Sequence, residues 1–175
     1  MKTLINVLFV VALSLSSGCG ESPEPNDGEE QKRPRKEIQS TYPFSEATKI
    51  EILSYPDRLS WDTTPSKGGF TLNELVARGE LVVNPDSIKE RITLDKTQSE
   101  SIFELLINST CEDSSSAACF EPRHALIFYN GKKVIAYLEL CFSCHSYETS
   151  GNFEVNHFCF SSLRTEFEKI GIGYY

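Results

Sequence analysis

Apolar positions follow three regimes along this chain. Residues 4–15 form an apolar run interrupted only by Asn6 and Ser14, too short to cross a bilayer as a helix. Residues 20–40, GESPEPNDGEEQKRPRKEIQS, hold almost no apolar side chains, three prolines and dense charge of both signs. Such a stretch buries too little surface to offset its ordering entropy, and the pattern predicts a disordered tether. From residue 41 onward the apolar positions become periodic. Residues 47–55 alternate Ile50 and Ile52 against Lys49 and Glu51, the pattern of a half-buried strand. Residues 58–70 are a loop carrying the single tryptophan, Trp61, which is expected to cover an edge of the core. Thr71 and Glu74 have capping-box spacing, and a short helix is predicted from there to Arg78, stopped by Gly79. Residues 80–83 read as a strand, 84–86 as a turn and 88–94 as an alternating strand. Asp95 then caps a helix to about Ile107 with Ile102, Leu105 and Leu106 inward, followed by a polar loop.

The clearest local signal is a hairpin. Residues 123–129 and 132–141 are β-rich and are joined by Asn130-Gly131, a pair suited to a type I′ turn with positive φ at both central positions. A two-residue loop there sets Tyr129 opposite Lys132. One face then carries Ala125, Ile127, Val134, Ala136, Leu138 and Leu140. The other carries His124, Leu126, Phe128, Ile135, Tyr137, Glu139 and Cys141. Both faces are largely apolar, so the hairpin is expected at the centre of a sheet covered on both sides. Residues 142–152 read as a loop and 153–158 as another strand. A last helix is expected, capped by Ser161 or Ser162, with Leu163, Phe167 and Ile170 inward and Gly171 as its stop. Strands, helix, strands, helix is the order of an α+β domain: a mainly antiparallel sheet, a central hairpin, and two or three helices packed on it.

Charge narrows the partners. Without residues 1–18 the chain has 16 basic and 25 acidic residues. That balance argues against nucleic-acid binding, which needs a basic surface. Residues 41–175 suffice for one domain with a real core. No internal repeat is present, nor a phosphate-binding loop, a nucleophile elbow or histidines at helical zinc-protease spacing.

The amino terminus has the layout of an export signal: Lys2 as its positive charge, the apolar run, then Ser16-Ser17-Gly18 before Cys19. A cysteine directly after small residues resembles the bacterial lipobox, although Ser16 stands where leucine is usual. The resemblance implies cleavage before Cys19, its lipidation, and a lipid anchor on a bacterial membrane, facing the periplasm or the cell surface. The expected organisation is signal peptide 1–18, lipidated cysteine and tether 19–40, and one globular domain 41–175. Lys32-Arg33-Pro34-Arg35-Lys36 can approach anionic headgroups, but five preceding acids favour a solvated tether.

Five cysteines remain beyond Cys19: Cys111, Cys119, Cys141, Cys144 and Cys159. An exported chain permits disulfides, and an odd number leaves one thiol free, ligated or paired with another chain. In the hairpin register above, Cys119 falls opposite Phe142 and Cys141 opposite Phe120. Cys119, Cys141 and Cys144 are therefore expected to converge as a disulfide or metal cluster, with connectivity left open. Cys141-Phe142-Ser143-Cys144-His145 also matches C-x-x-C-H, the attachment motif of c-type haem, with His145 as axial ligand and His124 or His157 as the sixth. That motif usually lies on a helix, whereas this one closes a strand. A thioredoxin-like dithiol needs a helix N-terminus that the following loop lacks. A tetrahedral zinc site can be drawn from Cys119, Cys141 and Cys144 with His145, His124, Cys159, Cys111 or His157. Structural disulfides are the reading favoured over zinc or haem c, and no cofactor is expected. His124 and Tyr137, directly opposite in this register, are read as a satisfied cross-strand pair rather than an acid–base couple. Arg123 is expected to pair with a nearby carboxylate rather than to grip an anionic ligand. No catalytic residue is assigned.

Cys119-Phe120-Glu121-Pro122-Arg123-His124-Ala125, the hairpin, and Cys141-Phe142-Ser143-Cys144 together resemble a group of uncharacterised bacterial exported proteins. These carry a C-[YF]-x-P-R segment, a hairpin and C-F-x-C. The likeness covers residues 88–173. It implies a shared role for the three cysteines and brings no activity; the residue after C-F-x-C in that group need not be histidine. The function expected is a membrane-tethered, non-enzymatic binding or accessory domain with a protein or small-molecule partner. The alternative is a thiol or metal site on Cys119, Cys141 and Cys144.

Overall fold

A computed structural model describes residues 34–56, 75–83, 85–111 and 120–175. The expected signal, Cys19, most of the tether, Trp61, the Thr71–Glu74 spacing and Cys119 lie outside the described residues. Residues 34–175 form one compact unit. Its first residues differ from the tether expected there. The Lys36 amide donates to Asn108 Oδ1 at 2.9 Å, Arg35 pairs with Glu104 at 2.8 Å, and Ile38 packs on the core.

The fold is α+β. Among the described residues, five strands form an antiparallel sheet: β1 (Lys49–Ser54), β4 (Glu90–Thr93), β5 (His124–Asn130), β6 (Lys133–Cys141) and β7 (Ser146–Thr149), in the order β4-β1-β5-β6-β7. β1 pairs along both edges, and both of its faces are covered rather than one, Ile50 and Ile52 in one core and Leu53 in another; even Glu51 is only 4% exposed. β7 lies in the segment expected to be a loop. Its Ser-Tyr-Glu-Thr sequence has no apolar alternation, and pairing with β6 is what makes it a strand.

The short helix expected over residues 71–78 is absent from its described part. Val76–Ala77 (β2) and Glu80–Leu81 (β3) form a small hairpin instead, with Arg78 at φ 53° and Gly79 at φ 78°. Positive φ at both loop positions is the type I′ geometry, so Gly79 serves a hairpin turn, not a helix end.

The central hairpin has a different register from the one expected. Its two loop residues are Gly131 and Lys132, and Asn130 pairs with Lys133. Only Gly131 takes positive φ, at 60°. The ladder then slips once more, from Tyr129↔Val134 to Phe128↔Ala136, leaving Ile135 as an extra residue. The Tyr42 hydroxyl donates to the Ile135 carbonyl at 2.5 Å and thereby supports the bulge. The shift changes which residues share a face. Leu126, Phe128, Ala136, Leu138 and Leu140 join Ile50 and Ile52 under the helices. Ala125, Ile127, Tyr129 and Val134 join Leu53 and Tyr55 under the β2–β3 hairpin. Two cores sandwich the sheet.

The helices close the larger core. Asp95 caps α1 (Lys96–Phe103) in a full capping box with Gln98, at 2.8 and 2.9 Å. One wide turn, Glu104–Asn108, extends α1 and buries Leu106 and Ile107, while Leu105 is only partly buried. Residues 153–158 make no strand. They cross without regular secondary structure, anchored by the Asn156 amide on Leu106 O at 2.9 Å, and bury Phe153 and Phe158. α2 (Phe160–Ile170) begins earlier than a serine cap predicts: Cys159 is its N-cap, and no side chain caps it. Gly171, at φ 115°, ends it. The Gly171 amide donates to Phe167 O and Glu168 O, and the Ile172 amide to Phe167 O. The chain beyond it returns along the β4 edge. No helix among the described residues is long and apolar enough to cross a membrane.

Candidate functional site

The sulfur chemistry is local. Cys141 ends β6 and pairs across the ladder with Ser146, so the chain must turn within four residues. Cys144 bonds Cys141 across that turn, with Cα atoms 5.2 Å apart, and the Cys144 amide donates to Cys141 Sγ at 3.2 Å. Both sulfurs are buried. His145 closes the turn at φ 49°, exposed, its ring stacked on Phe160 with centroids 5.4 Å apart. A second disulfide joins Cys111 to Cys159, tying the end of the α1 extension to the start of α2. Neither pairing is legible from spacing alone.

These bonds bear on the candidate metal and haem residues. Cys111, Cys141, Cys144 and Cys159 are sulfur-paired and unavailable as thiolate ligands in this state. A c-type haem and a disulfide cannot share the same two sulfurs. Among the described residues, no three His, Cys, Asp or Glu side chains are grouped to hold a metal ion. The hairpin does not adopt the register that would set Cys119 opposite Phe142 and Cys141 opposite Phe120; Cys119 itself lies outside the described residues. The adopted register does not pair His124 with Tyr137 either. His124 faces Leu140, Tyr137 faces Ile127, and the two side chains lie on opposite faces of the sheet. Glu139, on the Tyr137 face, accepts from the Tyr55 hydroxyl at 2.7 Å.

The disulfide turn instead forms one wall of a cleft of about 350 Å³. Phe142 folds inward from the turn while Ser143 stays at the surface. Glu121, Arg123 and His124 line the side where β5 begins, and Arg164 of α2 and Tyr175 close it. Phe142 meets the His124 ring edge-on at 5.0 Å and the Tyr175 ring at 5.7 Å. Tyr175 lies against His124 at 4.7 Å and beneath the Arg164 guanidinium at 4.3 Å. The carboxyl-terminal segment is held there by Glu90, which accepts from the Gly173 amide at 2.9 Å and the Tyr174 amide at 3.2 Å. Burial works against the Glu90 carboxylate, but the Ser54 hydroxyl and these amides outweigh it and lower its pKa.

His124 is the buried polar group of this corner, 1% exposed. Nε2 lies 2.7 Å from the Tyr174 carbonyl, which can only accept, so in the neutral ring Nε2 carries the proton. Nδ1 is then a bare acceptor, buried and without a partner among the described residues. Burial pushes the imidazole pKa down to about 4; the Tyr174 carbonyl and Glu90 oppose this, and Arg164 and Arg123 add to it. The ring is therefore neutral at physiological pH. Burial likewise raises the Tyr175 phenol to about 12.

Arg123 does not meet the carboxylate expected for it. It is half-buried, and its guanidinium has no ion-pair partner among the described residues. Glu121, Arg164 and Tyr175 were not legible as site residues. Arg164 sits on a polar helix face like any other, and only the returning chain end brings it to Arg123. No family model, curated protein or solved structure matches this chain.

Proposed function

We propose that this chain is a lipoprotein of the bacterial cell envelope, anchored through acyl chains on Cys19, whose globular domain is a non-enzymatic binding or accessory module. The observation that supports a binding role is the cleft beside the disulfide turn. It is concave, walled by aromatic rings, and carries an arginine that makes no ion pair among the described residues. The anchor reading rests on the apolar run, the small residues and Cys19. Two disulfides within one small domain fit an oxidising compartment outside the cytoplasm. Cys19→Ser should abolish acyl labelling and release the chain from membranes. Labelled protein that stays in the membrane fraction in that variant would refute the anchor.

A second reading assigns thiol or metal chemistry to Cys119, Cys141 and Cys144. It is favoured by the short Cys141–Cys144 loop, in which the Cys144 amide reaches Cys141 Sγ. A hydrogen bond of that kind stabilises a thiolate once the bond is reduced. Intact mass of the unreduced protein, before and after a glutathione buffer of envelope-like poise, separates the readings. Bonds that persist support a structural role, while a readily reduced Cys141–Cys144 pair, or one zinc bound per reduced chain, supports the second.

A further inference from the structure

We propose that the cleft recognises an oxyanion group, a carboxylate or a phosphate, on the Arg123 guanidinium, with the flat part of the ligand against Tyr175 and Phe142. This inference rests on the reading of the cleft as a binding site and names the chemistry of its ligand.

Four observations carry it. The first is the unpaired charge. Among the described arginines, Arg35, Arg91 and Arg164 each pair with a glutamate, at 2.8, 2.6 and 3.0 Å respectively. Arg78 lacks such a partner but sits exposed on a turn. Arg123 lacks one while half-buried in a cleft wall. A guanidinium stays charged at every accessible pH, and its planar fork of donors matches a carboxylate or phosphate with two parallel hydrogen bonds.

The second is the sign of the cleft. Its lining holds two arginines and one acid, Glu121, within a chain of formal net charge -8. The Arg164 Nε is held by Glu168 at 3.0 Å and its plane lies on Tyr175, so its charge is already paired and Arg123 is the cation left for a ligand. Exposed Glu121 is the opposing charge in the lining. It disfavours a diffuse polyanion and leaves Arg123 as the point of attachment for one compact anionic group.

The third is the neutrality of the floor. The His124 side chain carries no negative charge in any protonation state, and the hydrogen bond to the Tyr174 carbonyl holds its ring in place. The fourth is shape. Phe142 and Tyr175, whose rings meet at 5.7 Å, are among the residues that line about 350 Å³, room for a small molecule with a planar apolar part.

The test titrates the full chain, in detergent micelles, with benzoate, phenyl phosphate and the neutral benzyl alcohol. The signals followed are the arginine Nε–H resonances and the Tyr175 ring protons. The expected result is saturable binding of at least one anion that moves the Arg123 and Tyr175 signals, at least tenfold tighter than benzyl alcohol. R123Q should abolish that preference and K132Q, on the distant hairpin loop, should leave it intact. Tighter binding of benzoate than of phenyl phosphate assigns a carboxylate ligand, and the reverse order assigns a phosphate. If all three probes bind the cleft alike, or if R123Q keeps the anion preference, the oxyanion proposal is overturned while the binding cleft stands. If none moves a cleft signal, both the proposal and the binding reading fail. Should R123Q not fold, the ratio of anion to benzyl alcohol affinity on the natural chain decides by itself.

Discussion

Lowering the pH tests the corner around His124 directly. The imidazole is buried to 1% exposure and burial holds its pKa near 4, against 6.5 in the unfolded chain. The groups facing it are Glu90, which favours the charged ring, and Arg123 and Arg164, which oppose it. A depressed folded pKa means that the unfolded chain takes up the proton first. The stability tied to this group is therefore fully present above 6.5, declines as the pH falls below that value, and is lost by about pH 4. At about 1.4 kcal/mol per pH unit, the full loss is roughly 3 kcal/mol, of which about 2 kcal/mol falls between pH 7 and 4.5. Urea unfolding at those two pH values, with disulfides intact, measures it. His124→Gln removes the titrating ring and should remove this part of the pH dependence, whatever it costs at neutral pH. The carboxylates Glu51 and Glu90 have lowered pKa values, so the stability tied to them is present above the ordinary carboxylate value and begins to be lost as the pH falls through it; the natural chain and H124Q share that loss, and it cancels in the comparison. If the natural chain and H124Q lose stability in parallel between pH 7 and 4.5, the imidazole is not buried neutral and the account of this corner is wrong.

Other outcomes are equally specific. Replacing Cys111 and Cys159 together by alanine frees a link spanning 48 residues and should cost about 4 kcal/mol in the chain-entropy model, against roughly 2 kcal/mol for the Cys141–Cys144 pair; guanidinium unfolding of the two double variants gives the ranking, and equal losses would count against loop length as the cause. In Glu51, burial works against the charge, and hydrogen bonds from Arg91 and Lys49 outweigh it to lower the pKa. Arg91→Ala leaves that carboxylate underpaired, with an expected loss of about 2 kcal/mol at pH 7 that shrinks as Glu51 is protonated; a loss independent of pH would refute the pairing. Gly171→Ala puts a Cβ into a left-handed helix stop, with an expected cost of about 1 kcal/mol, and an unchanged melting temperature would be inconsistent with that geometry.

What could be read from the sequence was whatever short-range chemistry dictates. Asp95 followed by Gln98 starts a helix because two side chains satisfy two local amides, and Gly171 stops one because only glycine enters the left-handed region cheaply. Two apolar faces on residues 123–141 require a central, doubly covered hairpin, so the α+β class followed from pattern alone. The layout that ends at Cys19 is equally local. Tertiary structure decided the rest. Moving the turn by one residue and inserting a bulge at Ile135 cost little locally, yet together they change which side chains meet, because neighbours on a strand point to opposite faces. That moved His124 away from Tyr137 and under the helices, beside Leu140. The polar strand β7 exists only because β6 offers an unpaired edge. The cleft itself joins residue 123 to residues 142, 164 and 175, separations over which no periodicity carries information; Glu90 and the end of α2 bring them together.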